Sequence, residues 1–208
     1  STASDRLLEL DSSSGTIDQL GLEYEALSAK LKGEADVLTS VRVSAAQRLA
    51  ELVTAELKEL AMGGASLVVE VGYADAYGSF GQDSVSIQLS SYPGAEPRPL
   101  GKGASGGELS RIMLAIEVVL AETQQAPTFI FDEVDAGVGG AAAIEVGRRL
   151  AMLAQRAQVI VVTHLAQVAA YANAHLRVLK TSSVDFTATD VVSLDPQARV
   201  EELARMLS

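Results

Sequence analysis

The 208 residues contain no cysteine and no tryptophan, and only four phenylalanines and five tyrosines. Without cysteine there are no disulfides and no thiolate metal sites, which fits a cytoplasmic protein. So few aromatic rings leave little from which to build base-stacking platforms for single-stranded nucleic acid. No run of about 18 apolar residues is present to span a bilayer, and the first residues do not read as a signal peptide. No membrane role is expected. Basic residues are outnumbered, 16 Lys and Arg against 27 Asp and Glu, for a net charge of −11. A surface this acidic repels phosphate backbones on average, so the chain is a poor candidate for tight nucleic-acid binding. Arg148-Arg149 and Lys30-Leu31-Lys32 read as solvated helix faces rather than as a basic patch. What is present is apolar bulk: 48% of the residues are hydrophobic, enough for one ordinary domain or a domain with an appendage.

Along the chain, residues 1–19 are rich in Ser, Asp and Gly and read as a linker or frayed start. From Leu20 to about Met62 there is no proline. Leu20, Tyr24, Leu27, Leu31, Leu38, Val41, Ala45 and Leu52 follow a three-four spacing, broken at Glu34 and Arg48. This predicts a long helix over 20–62, either one strand of an antiparallel coiled coil or a helix packed on its own domain, stopped by Gly63-Gly64. The remainder, 63–208, reads as one α/β lobe. Ser66–Tyr73 and Ser84–Leu89 alternate as strands, and Pro93, Pro97 and Pro99 make a loop that cannot join a sheet interior. Thr128–Phe131 and Val159–Val162 are short runs apolar on both faces, as in buried parallel strands. Helical patterns at Ala141–Leu153 and Leu165–Ala174 follow them, so crossovers and a parallel sheet are expected. Leu176–Lys180 and Phe186–Leu194 read as strands toward a sheet edge, and Pro196 opens a last helix to Leu207.

The stretch with the most chemistry in it is KGASGGELSR, Lys102–Arg111. Ser105-Gly106-Gly107-Glu108 has the form of a capping box, with Ser105 and Glu108 each able to satisfy the other's backbone amide. Leu109, Ile112, Met113, Ile116, Val119 and Leu120 recur behind it at helical spacing. With no side chains at Gly106 and Gly107, the amides of a positive helix end lie open to an anion such as a phosphate. An isolated SGGE also suits a capped helix with a flexible start. Two buried strands then end in polar groups: Asp132 and Glu133 after one, His164 after the other. Ligands bind at that edge of an open parallel sheet. A carboxylate there needs a cation or donors, and Mg²⁺ is the usual cation for an Asp so placed. Taken singly, Asp132 and Glu133 also suit a turn or helix cap, and His164 a cap of the following helix.

Together and in this order, ASGGELSR, TFIFDE, VDAGVGG and VVTH resemble the signature, Walker B, D-loop and switch-histidine motifs of ABC-type ATPases. The fuller forms KGASGGELSRIMLAIE, FDEVDAGVGG and VVTHLAQVAAYA are similar to the SMC-like ATPases of bacterial DNA repair. The resemblance covers Lys102 to about Leu176, and the long helix and strand pair before it fit that family's layout. It implies the C-terminal lobe of an ABC/SMC-type ATPase head, cytoplasmic and nucleoid-associated, working on ATP with Mg²⁺ in break repair and recombination. By residue, it implies that Ser105, Gly106 and Gly107, with Glu108 in the same motif, meet the γ-phosphate of a nucleotide on a partner head. Asp132 would hold Mg²⁺, Glu133 would be the general base, Asp135 would communicate across a head-to-head homodimer, and His164 would sense the γ-phosphate.

The family also needs a Walker A loop, G-x-x-x-x-G-K-[ST], and no such string occurs here. The expectation is therefore a lobe that is inactive alone and completed by an N-terminal Walker A lobe of the same protein. DNA would be held by the whole protein rather than by this acidic chain. Two other readings stay open: a dimerisation or partner-docking module without its own activity, and an ABC transporter ATPase subunit. Against the transporter stands the long heptad helix.

Overall fold

The computed structural model describes residues 2–102, 104–121, 128–182 and 187–208. Gly103, within the Lys102–Arg111 stretch, and Phe186, at the start of the predicted strand Phe186–Leu194, lie outside the described residues. The chain divides into two compact units, residues 1–47 with 70–85 and residues 48–69 with 86–208.

The long helix α1 runs Thr2–Glu59. It therefore takes in residues 2–19, read above as a linker: Ser, Asp and Gly weaken a helix by about 1 kcal/mol or less each, and no proline breaks it. The stop also differs from expectation. Ala61, not a glycine, takes the left-handed conformation after the helix, with φ 59°. The Met62 amide donates to Leu57 O at 2.9 Å, a Schellman closure that brings the buried side chains of Leu57 and Met62 together.

Strands β1 (Ser66–Gly78) and β2 (Gly81–Ser90) are neighbours in a three-stranded sheet with β3 (Arg98–Pro99) at the edge beside β2. Pro99 thus stands at an edge, where its missing N–H leaves no ladder bond unmade. In the first unit, Asp83 ties the hairpin to α1: Thr39 Oγ1 donates to Asp83 Oδ1 at 2.6 Å and Arg42 Nη1 to Oδ2 at 2.7 Å. On the same helix, Leu20, Tyr24, Leu27, Leu31 and Val41 of the heptad stripe are exposed.

In the second unit, a single turn of 3₁₀ helix at Leu100–Lys102 leads to α2 (Gly106–Leu120). Then follow β4 (Thr128–Phe131), α3 (Gly140–Leu153), β5 (Gln158–Val161), α4 (Ala166–Ala169), β6 (Leu176–Ser182), β7 (Thr187–Ser193) and α5 (Pro196–Leu207). β4 and β5 pair in parallel, Phe129 opposite Val159 and Phe131 opposite Val161, through the crossover of α3. The core gathers Val53, Leu57 and Leu60 from the end of α1, Leu67 and Leu89 from the hairpin base, Ile112, Leu114 and Ala115 of α2, Phe131, and Val146, Leu150 and Leu153 of α3.

Four expectations change here. The β4–β5 pair is covered on one face only: Phe131 is buried, but Ile130 is 71% exposed and Ile160 and Val162 are exposed as well. Among the described residues, β6 and β7 form a separate antiparallel ribbon rather than a continuation of the parallel sheet. The helix predicted over Leu165–Ala174 is regular only at Ala166–Ala169 and ends in tighter bonds, Tyr171 N to Val168 O and Ala172 N to Ala169 O, as a frayed last turn does. Arg149 is also no solvated residue: it is buried, and its Nε donates to Glu56 Oε2 at 2.9 Å while Nη1 meets Glu145, fastening α3 to the end of α1.

Candidate functional site

The predicted capping box is formed in full. The Ser105 amide donates to Glu108 Oε2 at 2.9 Å, and the Glu108 amide to Ser105 Oγ at 3.4 Å. These bonds hold the Glu108 carboxyl below its usual range, the backbone bond from Ser105 being the main cause. An ionised Glu108 thus closes the first turn of α2, and the amides beyond it remain at the positive helix end.

What presses on the two glycines is the loop after β4. A β-carbon on Gly107 would lie 2.8 Å from Ala136 Cβ and about 3 Å from two carbonyls, Glu133 O at 3.0 Å and Ala136 O at 3.1 Å. The absence of side chains therefore serves packing as well as any ligand, a close approach that only glycine permits. Ser110 Oγ donates to Asp132 O at 2.7 Å, and Arg111 Nη1 donates to Ala136 O at 2.8 Å and more weakly to Val134 O at 3.4 Å. The N-terminal turns of α2 and the loop that begins at Asp132 are one packed body.

Within that loop Glu133 is left-handed, with φ 56°, a conformation disfavoured for a residue with a β-carbon. The side chains of Asp132 and Glu133 are both exposed. Asp135 points the other way. It is 2% exposed, and it accepts from Thr163 Oγ1 and from the His164 amide, the latter at 3.2 Å. The His164 imidazole is solvent-exposed, with Nδ1 3.4 Å from Asp135 Oδ2. Because Val162 N also donates to Phe131 O at 3.0 Å, the carboxyl ends of β4 and β5 are stitched side by side.

All the sequence-predicted residues therefore meet along one edge: Ser105 to Glu108 through the α2 contact, Asp132 and Glu133 at the end of β4, and Asp135 linking β4 to His164. Two residues with a structural hold on that edge, Ser110 and Arg111, were not singled out from the sequence. Arg111 carried a signal, since it stands four residues after Gly107 and three and four before the buried Leu114 and Ala115, within an apolar stripe. Thr163 is a third such residue: its hydroxyl both meets Asp135 and accepts from Leu165 N at 3.0 Å.

No family model matches the chain. Among curated proteins, the DNA repair protein RecN of Streptomyces coelicolor is 53% identical over 198 residues, which is 89% of this chain and 35% of that protein. RecN of Mycobacterium leprae is 45% identical over 225 residues, 98% of this chain and 38% of the relative. RecN of Deinococcus radiodurans is 41% identical over 207 residues, 99% and 36%. The chain spans about a third of the length of these relatives. Among solved structures, the Smc head domain with a coiled coil and joint from Pyrococcus yayanosii aligns with a TM-score of 0.57 at 21% identity, over 81% of this chain and 30% of that one. The Smc head domain with an extended coiled coil from Pyrococcus furiosus, solved bound to the C-terminal domain of ScpA, gives 0.52 at 20% identity, over 81% and 39%. The fold is that of an SMC-type head: an α/β lobe with a parallel sheet, preceded by a long helix.

Proposed function

We propose that this chain, a relative of the RecN proteins over nearly its whole length, is the C-terminal lobe of an SMC-like ATPase head that acts in DNA double-strand break repair and recombination. The observation that carries the reading is the meeting of the SGGE helix end, the Asp132-Glu133 strand end and His164 along one sheet edge, in a chain 53% identical to a RecN protein. In this reading residues 20–62 are the returning strand of a coiled coil and 63–208 the head lobe. The exposed heptad stripe of α1 supports the first part.

Gly106 and Gly107 present backbone amides, and Ser105 its hydroxyl, to the γ-phosphate of a nucleotide held by the partner head of a homodimer, with Glu108 fixing their turn through the Ser105 amide. Asp132 suits Mg²⁺: its carboxylate is exposed at a strand end, and no three acidic or histidine side chains converge among the described residues. That fits an ion bound through one carboxylate, waters and substrate phosphates rather than in a protein cage. When bound there, Mg²⁺ would neutralise charge on the phosphate oxygens. Glu133 orients and deprotonates the attacking water, and His164 reads the terminal phosphate. Asp135 is committed inside its own chain, so any message it carries across the dimer passes through His164 and the loop.

The Walker A lobe is the partner that completes ATP binding. Its need is also felt at the open face of β4–β5, since parallel sheets are ordinarily covered on both sides and Ile130, Ile160 and Val162 are bare. DNA is held by the whole protein, in the bacterial cytoplasm. Among the described residues no helix is long and apolar enough to cross a membrane. ATP hydrolysis by this chain alone, and after mixing with a separately produced Walker A lobe, tests the reading. Turnover only in the mixture, abolished by Glu133→Gln, is expected. Turnover by the pure chain, or none when the two lobes are shown to associate, contradicts it.

A further inference from the structure

Arg111 is 6% exposed and carries no ion-pair partner within its hydrogen bonds, which go to Val134 O and Ala136 O; its Nε is buried without any partner. Burial lowers its pKa, with Glu108 acting only in the opposite direction. A buried guanidinium with one nitrogen on two carbonyls and Nε unpaired is a costly way to fill space that methionine would fill more cheaply. Its two acceptors lie on the loop that begins with Asp132 and Glu133. Ser110 grips that loop just before Glu133, at Asp132 O, and Arg111 grips it just after, at Val134 O and Ala136 O. Between the two grips Glu133 is held left-handed, a conformation that persists only where its surroundings enforce it.

We propose that Arg111 is a positioning residue: its guanidinium holds the loop after β4 in the strained shape that presents the Glu133 carboxylate, and so acts on hydrolysis without touching nucleotide. The proposal rests on the ATPase reading above and adds to it a residue that reads no phosphate. Both bonds leave from Nη1, and arginine suits the place because its rigid guanidinium plane fixes the directions of that nitrogen's N–H groups, which the freely rotating ammonium of lysine does less well.

The test uses the assembled ATPase, this chain with its Walker A lobe, carrying Arg111→Met or Arg111→Lys. For R111M, kcat is expected to fall about a hundredfold, the scale of misplacing a catalytic group by an ångström, with KM for ATP within about twofold of the wild type. R111K recovers part of the loss. In the isolated chain, R111M speeds amide exchange at Val134 to Val138 while β4 and β5 keep their protection. Turnover of R111M within about threefold of wild type overturns the proposal and leaves the ATPase reading standing. So does a loss in which β4 and β5 also lose protection in both variants, because that is the mark of a purely structural role. A wild-type assembly with no turnover overturns the ATPase reading, and this inference with it.

Discussion

A β-carbon on Gly106 would stand 2.7 Å from Glu133 Oε2, so the carboxylate proposed as general base rests against the first residue of the helix proposed to receive a phosphate. Both groups are anions drawn to the same positive end of α2. The neighbouring glycine meets backbone instead, and the difference separates two variants that look alike in sequence.

Gly106→Ala asks only the end of a flexible side chain to move, and alanine is the better helix former by about 1 kcal/mol. Its stability should equal or exceed the wild type. Gly107→Ala drives a methyl into Ala136 Cβ and the carbonyls of Glu133 and Ala136, and should cost about 1–3 kcal/mol. Urea denaturation of both variants checks the contrast, and equal midpoints would refute the packing account.

Glu133→Asn should make the chain more stable and the assembly inactive. Asparagine tolerates the left-handed φ of 56° that glutamate does not, and relief of such strain is worth about 1 kcal/mol. Thermal melting of the isolated chain reads the gain, and ATP turnover in the two-lobe mixture reads the loss. A drop in melting temperature would show that the loop is not strained at Glu133.

The cap of α2 should weaken in acid. Glu108 has a depressed pKa in the folded chain, chiefly through the Ser105 amide. Its contribution is therefore fully present above the unfolded value and is lost as pH falls through the folded one. Glu108→Ala should be less stable than wild type at pH 7 by about 0.5–1 kcal/mol, the scale of a lost cap, and the gap should close as the pH falls through the carboxylate range. A gap that stays constant in acid would remove Glu108 from the cap.

Ala61→Gly removes the β-carbon from a left-handed position and should stabilise the chain by about 0.5–1 kcal/mol, less the extra freedom glycine gives the unfolded state. Melting curves decide it.

At the open face of β4–β5, Ile130→Ser should change the stability of the isolated chain by no more than about 0.5 kcal/mol, as exposed substitutions do. If the Walker A lobe covers that face, the same change removes a buried side chain worth about 1.5–3 kcal/mol and weakens association of the lobes by about tenfold or more. Unchanged affinity would place the lobe elsewhere.

The sequence by itself determined the local features of this protein and their order. The capping box at Ser105 and Glu108, the strand before Asp132, the strand before His164 and the presence of a long helix before them are written in spacings of two to four residues, because turn closure and one-sided burial act over that range. The order of the motifs carries the resemblance to ABC-type ATPases without reference to any tertiary contact. Tertiary structure decided what those residues touch. Arg149 looks like one of two surface arginines until α3 lies against Glu56. Ala61 takes a glycine's conformation because the buried pair Leu57 and Met62 closes over it. Asp135 faces inward to Thr163, and Arg111 reaches Val134 and Ala136. Apart from the local closure of Met62 on Leu57, these contacts join residues more than twenty positions apart, and their energies come from desolvation and close packing between elements, which no local pattern encodes.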